Sequence, residues 1–138
     1  SIGYPARATE MEILASHVGS RDTDDRPAAA ISAEALGEIQ NEVAGIAVAE
    51  KVHRYLVDLA EATRQHSDVR IGLSPRGLLI LQRVAQARAY LQRREFVTPD
   101  DIQDVARPVL SVRLSGDFAS PQAAIESILN DVPVPLWD

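Results

Sequence analysis

Cysteine is absent from this chain and lysine occurs once, at Lys51. Without cysteine there is no disulfide framework, no thiolate nucleophile and no cysteine-based zinc site. The single lysine sits in Ala49-Glu50-Lys51-Val52 with no glycine-rich loop before it. A phosphate-binding loop of the G-x-x-x-x-G-K-[ST] kind is therefore missing, and the chain cannot hydrolyse a nucleotide by that machinery unaided. Aromatics make up 4% of the residues, which leaves aliphatic side chains to build the core. No apolar run approaches the roughly 20 residues that span a bilayer, and no signal-peptide pattern opens the chain. A soluble cytoplasmic protein is expected. Basic residues are also in the minority: the formal net charge of −6 argues against a protein whose main task is gripping nucleic acid, though not against a local basic patch.

What remains is a chain of 138 residues rich in Ala, Leu, Val, Arg, Glu and Gln, long enough for a real core and biased towards helix. Opening at Ser1 rather than a methionine, it reads as a piece of something longer. Thr9 is expected to cap a first helix with Met11, Leu14 and Val18 on one face, and Gly19 to end it. Residues 20–30 are polar, lack an apolar period and read as a loop. Ser32 is expected to cap a second helix with the stripe Leu36, Ile39, Val43 and Ile46. After a break near 45–48, Val52, Tyr55, Leu56, Leu59, Ala60 and Thr63 fall at i, i+3, i+4, i+7, i+8 and i+11, the spacing of one buried helix face.

Val69 and Ile71 form a brief extended piece, with Phe96-Val97 as its expected partner. Ser74 opens a long helix to about residue 93 whose apolar positions wrap most of its circumference; only Gln82, Arg83, Gln86 and Arg93 mark a wet stripe, so this helix should be central. Thr98-Pro99 and Ser120-Pro121 repeat the cap-then-proline device. The first starts a helix buried through Ile102, Val105, Ala106 and Val109, which Pro108 bends or ends. The second starts one buried through Ala124, Ile125, Ile128 and Leu129. The tail to Trp137 is apolar and expected to fold back on the bundle. The periodicity predicts an all-α helical bundle of about five or six helices with one minimal two-strand pairing.

Among chemistry-bearing groups, Arg76 stands out. Gly72 lets the backbone turn, Ser74 can cap, Pro75 suits the first helical position, and Arg76 then projects from the first turn. A guanidinium beside a helix N-terminus suits a phosphate, although an ordinary exposed arginine has the same pattern. His17, His53 and His66 lie in separate segments without metal-ligand spacing, and Ser74 and Ser120 read as caps rather than nucleophiles. Asp100 and Asp101 read as first-turn carboxylates that the helix dipole favours. Arg83, Arg88, Arg93 and Arg94 read as a solvated basic face or a docking surface for an acidic neighbour.

The order of the pieces adds a resemblance. Gly3-Tyr4-Pro5 is followed by Tyr55-Leu56-Val57-Asp58-Leu59 with Thr63-Arg64, then Gly72-Leu73-Ser74-Pro75-Arg76, then Arg93-Arg94-Glu95-Phe96-Val97-Thr98-Pro99-Asp100-Asp101-Ile102, then Val109-Leu110 with Arg113. This succession resembles the C-terminal lid of MoxR-type AAA+ ATPases, whose members read G-Y-P, Y-[IV]-V-x-L-x-x-x-T-R, G-[AL]-S-P-R, G-R-x-[FY]-V-x-P-x-D-[IV] and V-L-x-H-R. Arg93 stands where the family has glycine, Gly77 where alanine is commoner, and the histidine of the last motif is missing.

The resemblance covers about residues 2–114 and implies a division into a lid over 1–114 and a C-terminal helix with apolar tail over 115–138, packed on the lid. It implies that Arg76 is the sensor 2 arginine acting on the ATP γ-phosphate in the same or a neighbouring subunit, with Leu73 and Ser74 near the nucleotide and Tyr4 at the hinge. It also implies ATP and Mg in the parent protein and none bound by the fragment alone. The implied partners are the parent's own AAA+ core domain, a homo-oligomeric ring such as a hexamer, a von Willebrand A domain protein and a client protein, with no membrane and no nucleic acid. A DNA-binding or histone-like helical module and a plain protein-interaction bundle are the rival readings.

Overall fold

The computed structural model describes residues 5–16, 18 and 30–135. The expectations resting on Tyr4, His17, Gly19, the loop over 20–29 and Trp137 lie outside the described residues. Residues 1–32 and 33–138 are two separate units. In the first, α1 (Arg7–Ser16) begins two residues before Thr9, so that threonine lies inside the helix rather than capping it. None of its residues is buried; Met11 and Leu14 are exposed, as is Val18 beyond its end.

The second unit holds α2 (Ala33–Gly45), α3 (Glu50–Gln65), β1 (Val69–Ile71), α4 (Pro75–Leu91), α5 (Pro99–Ser111), β2 (Ser115–Gly116) and α6 (Pro121–Asp131). The fold is all-α with one minimal sheet, as the periodicity predicts. α3 buries Val52, Tyr55, Leu56, Leu59, Ala60 and Thr63, the six positions of its predicted face. α5 and α6 likewise bury the predicted residues, and Pro108 does not end α5, which continues to Ser111. The core joins α3, α4, α5 and α6, with Ile125, Leu129 and Val132 packed in the same cluster as Leu59, Leu81 and Ile102. α2 is buried only at Val43; Leu36 is exposed.

Three expectations are corrected. First, α4 packs against α2, α3 and α5 as a central helix should, but its apolar circumference is only partly covered. It buries Gly77, Leu81, Ala85 and Ala89, a ridge of mostly small residues four apart that lets neighbouring backbones approach, while Leu79 and Leu91 are exposed. Second, Gln86 is not on a wet face: it is 4% exposed, and its Nε2 donates to the Ile46 carbonyl at 2.8 Å. The C-terminal carbonyls of a helix such as α2 lack intrahelical donors, and a buried amide meets that need. Third, β1 pairs antiparallel with β2, Val69 opposite Gly116, and not with Phe96-Val97. A Cβ at position 116 would lie 1.9 Å from the Asp68 carbonyl oxygen, so this pairing requires glycine, which the Phe96-Val97 segment lacks. Phe96 instead bridges in parallel to Ala47.

Candidate functional site

The start of α4 is built from both sides. α3 arrives with Thr63 fully buried, and a buried hydroxyl needs partners. Thr63 Oγ1 donates to the Ala60 carbonyl at 2.7 Å and accepts the Leu73 N–H at 2.9 Å. Its neighbour Arg64 turns its guanidinium onto the same residue: Nε and Nη2 donate to the Leu73 carbonyl at 3.0 and 2.9 Å. Both backbone polar groups of Leu73 are thus held by consecutive residues of α3, while its side chain, 1% exposed, lies in the core. Gly72 makes the approach possible. A Cβ there would stand 2.7 Å from Arg64 Cγ and 2.9 Å from Arg64 Cα and N.

From this anchored point the helix starts at once. Ser74 has extended backbone angles and its Oγ accepts the Gly77 N–H at 3.1 Å, while its carbonyl accepts the Leu78 N–H at 2.9 Å. Pro75 occupies the first helical position and has no N–H to satisfy. Arg76 follows, exposed, with no hydrogen-bond or ion-pair partner among the described residues. The first turn of α4 carries no acidic residue. A cation beside the positive end of a helix dipole is disfavoured by about 0.3–1 kcal/mol, and an arriving anion would reverse that sign. Ser74, Leu73 and Arg76 are therefore adjacent, but in different roles: cap, buried anchor and free cation. The sequence points to Arg76 through its helix position. It offers no such signal for the clamp by Thr63 and Arg64, because a contact between residues nine or ten positions apart across a turn has no periodic signature.

An apolar groove of about 310 Å³ runs beside this turn, lined by His53, Leu56 and Val57 of α3 and by Pro75, Leu78 and Leu79 of α4. Two larger grooves are lined by α2 and the C-terminal half of α4 with the loop after it, and neither includes Arg76.

The basic run along α4 separates into two kinds of residue. Arg94 Nη1 and Nη2 donate to the two oxygens of Asp101 at 2.7 and 2.6 Å, and Arg88 pairs with Asp104. Asp101 also accepts from the Thr98 N–H at 2.8 Å and closes a capping box at the start of α5. Burial pushes the Asp101 carboxyl up, but hydrogen bonds from Arg94 and Thr98 outweigh it and hold the group below the usual carboxylate range. Asp101 is more than a first-turn carboxylate: it ties the end of α4 to the start of α5. Arg83 and Arg93 remain exposed. Arg93 has φ 56°, the left-handed position that ends α4, with its own N–H donated to the Tyr90 carbonyl and that of Arg94 to the Ala89 carbonyl.

Residues 61–132 match the AAA lid domain family, a span that runs from the Thr63-Arg64 clamp through Arg76 to the end of α6. The chain is 31% identical over 141 residues to the YeaC protein of Bacillus subtilis (strain 168), with 98% of this chain and 44% of that protein aligned. It is 34% identical over 107 residues to the MoxR protein of Paracoccus denitrificans, covering 61% of this chain and 31% of that one. A crystal structure of a candidate ATPase from Cytophaga hutchinsonii superimposes with a TM-score of 0.74 at 26% identity, covering 98% of this chain and 45% of that one. The chain thus spans less than half the length of each protein it matches. The family match, the MoxR relative and the shared fold together establish that the chain belongs to the AAA lid domain family, as a lid of the MoxR type.

Proposed function

We propose that this lid supplies a sensor 2 arginine, Arg76, to ATP binding and hydrolysis in a larger AAA+ protein, and that the lid alone is inactive. One observation carries the reading: a guanidinium in the first turn of α4 with no hydrogen-bond or ion-pair partner among the described residues, without an acid in that turn, on a backbone held at Leu73 and Ser74. In the sequence resemblance Arg76 falls on the last position of the G-[AL]-S-P-R motif, where the family's phosphate-sensing arginine stands. A planar fork of fixed charge meets a γ-phosphate well and stabilises the charge that spreads over it during transfer. Magnesium and the catalytic loop are then contributed by the AAA+ core domain, and Ser74 and Leu73 shape the approach to the nucleotide through their backbone. Tyr4 belongs to the hinge. The complete protein works as a ring, with a von Willebrand A domain partner and a client protein that it remodels.

The test is ATP turnover by the complete protein, wild type against Arg76→Ala, with residues 1–138 as control. We expect turnover to fall at least ~100-fold, below the roughly 10³–10⁵ range of the best arginine fingers, and the isolated lid to be inert. Unchanged turnover and nucleotide affinity in the variant would reduce Arg76 to an ordinary first-turn arginine.

A further inference from the structure

We infer that Thr63 and Arg64 are positioning residues for Arg76, a two-residue clamp that fixes the Leu73 backbone and so aims the first turn of α4 at its anion. The inference rests on the sensor 2 reading of Arg76. The clamp itself stands on the geometry. Leu73 lies three residues before Arg76, and its N–H and C=O are both claimed by side chains of α3. An arginine commonly reaches for a carboxylate. Arg64 instead directs two N–H groups at one carbonyl, although exposed acids such as Glu61 and Asp68 lie nearby in sequence. Gly72 brings the chain so close to Arg64 that any side chain there would strike α3 backbone. Thr63 is tied on its other side to Ala60, so the hydroxyl is not free to follow Leu73 if the loop shifts.

Arg76 has none of this. Among the described residues its side chain has no hydrogen-bond or ion-pair partner to hold its direction, so its placement is inherited from the segment before it. Catalytic geometry is sensitive at this scale: a displacement of about 1 Å at a reacting group can cost ~100-fold in rate. A clamp on the backbone three residues upstream is a way to set that position while leaving the guanidinium free to meet a ligand. The Leu73 amide and carbonyl then transmit any movement of α3 to the α4 start, and with it to Arg76.

A double-mutant cycle on ATP turnover in the complete protein separates this from simple structural support. The single variants are Thr63→Val, which keeps the shape and removes the hydroxyl, and Arg64→Leu, which keeps an apolar stem over Gly72 and removes the donors. Each is combined with Arg76→Ala. We expect each single variant to lower kcat about tenfold or more with a smaller change in KM, and less than twofold in the Arg76→Ala background, because the aim of an absent arginine no longer matters. Thr63→Ser and Arg64→Lys, which retain a donor or acceptor to Leu73, should recover most of the turnover and serve as the readout if the harsher variants fold poorly. Equal losses with and without Arg76, or conservative variants as poor as the harsh ones, would overturn the clamp. Arg76→Ala with full turnover would instead overturn the sensor 2 reading, so the two failures are distinct.

Discussion

Arg76 and Arg93 both occupy positions that local energetics disfavour, and for different reasons. Arg76 sets a positive charge at the positive end of α4 with no acid in the turn. Replacing it with alanine should raise the stability of the lid by about 0.5 kcal/mol. Urea unfolding of wild type and Arg76→Ala reads this, and a loss of stability would mean the arginine has a structural partner. Arg93 holds φ 56°, which glycine adopts without strain. The family has glycine there, and Arg93→Gly should gain about 1 kcal/mol, the left-handed penalty less the extra entropy of glycine in the unfolded chain. A thermal melt that does not move upward would show that the Arg93 side chain gives back what its backbone loses.

Between α4 and α5, the buried carboxylate of Asp101 ties the two helices together beside the more exposed Arg88–Asp104 pair. Asp101 is buried, yet its pKa is lowered from the usual 3.8, because the hydrogen bonds of Arg94 and Thr98 exceed the effect of burial. A depressed folded value contributes stability that is fully present above the ordinary carboxylate range and fades as pH falls through the folded pKa. Arg94→Ala removes two charge-assisted hydrogen bonds and leaves the buried carboxylate with Thr98 and with Arg88, whose Nε lies 3.4 Å from Asp101 Oδ1. We expect it to cost about 3 kcal/mol at neutral pH and to shift the acid-induced loss of stability to higher pH. Denaturant midpoints followed from neutral pH to below pH ~4 would check both parts, and parallel wild-type and variant curves would show that Asp101 does not depend on Arg94.

For the whole molecule, α6 decides whether the lid is one cooperative body. Arg107 of α5 pairs with Glu126 of α6 on the surface, where solvent screens the attraction and little stability is gained. Leu129, 3% exposed and in the same cluster as Leu59 and Leu81, carries more. Leu129→Ala should destabilise by about 2–5 kcal/mol and lower the melting temperature by roughly 10 °C, whereas Glu126→Ala should hardly move it. If the two variants melted alike, α6 would be held by its surface pair rather than its core face.

The helices of the lid and the buried faces of α3, α5 and α6 were legible along the chain, because 3.6-residue periodicity and the Ser/Thr-Pro starts are local signals that need no partner. Arg76 was legible in the same way, since helix position and residue type alone put a cation beside a helix N-terminus. The pairing of β1 with β2, the burial of Gln86 and the bridge from Arg94 to Asp101 all came from packing. The tertiary structure alone revealed Thr63 and Arg64 holding Leu73. Each of these depends on a backbone group or charge from another element arriving within hydrogen-bond distance, and that arrival is a property of the packed chain, not of the spacing along it.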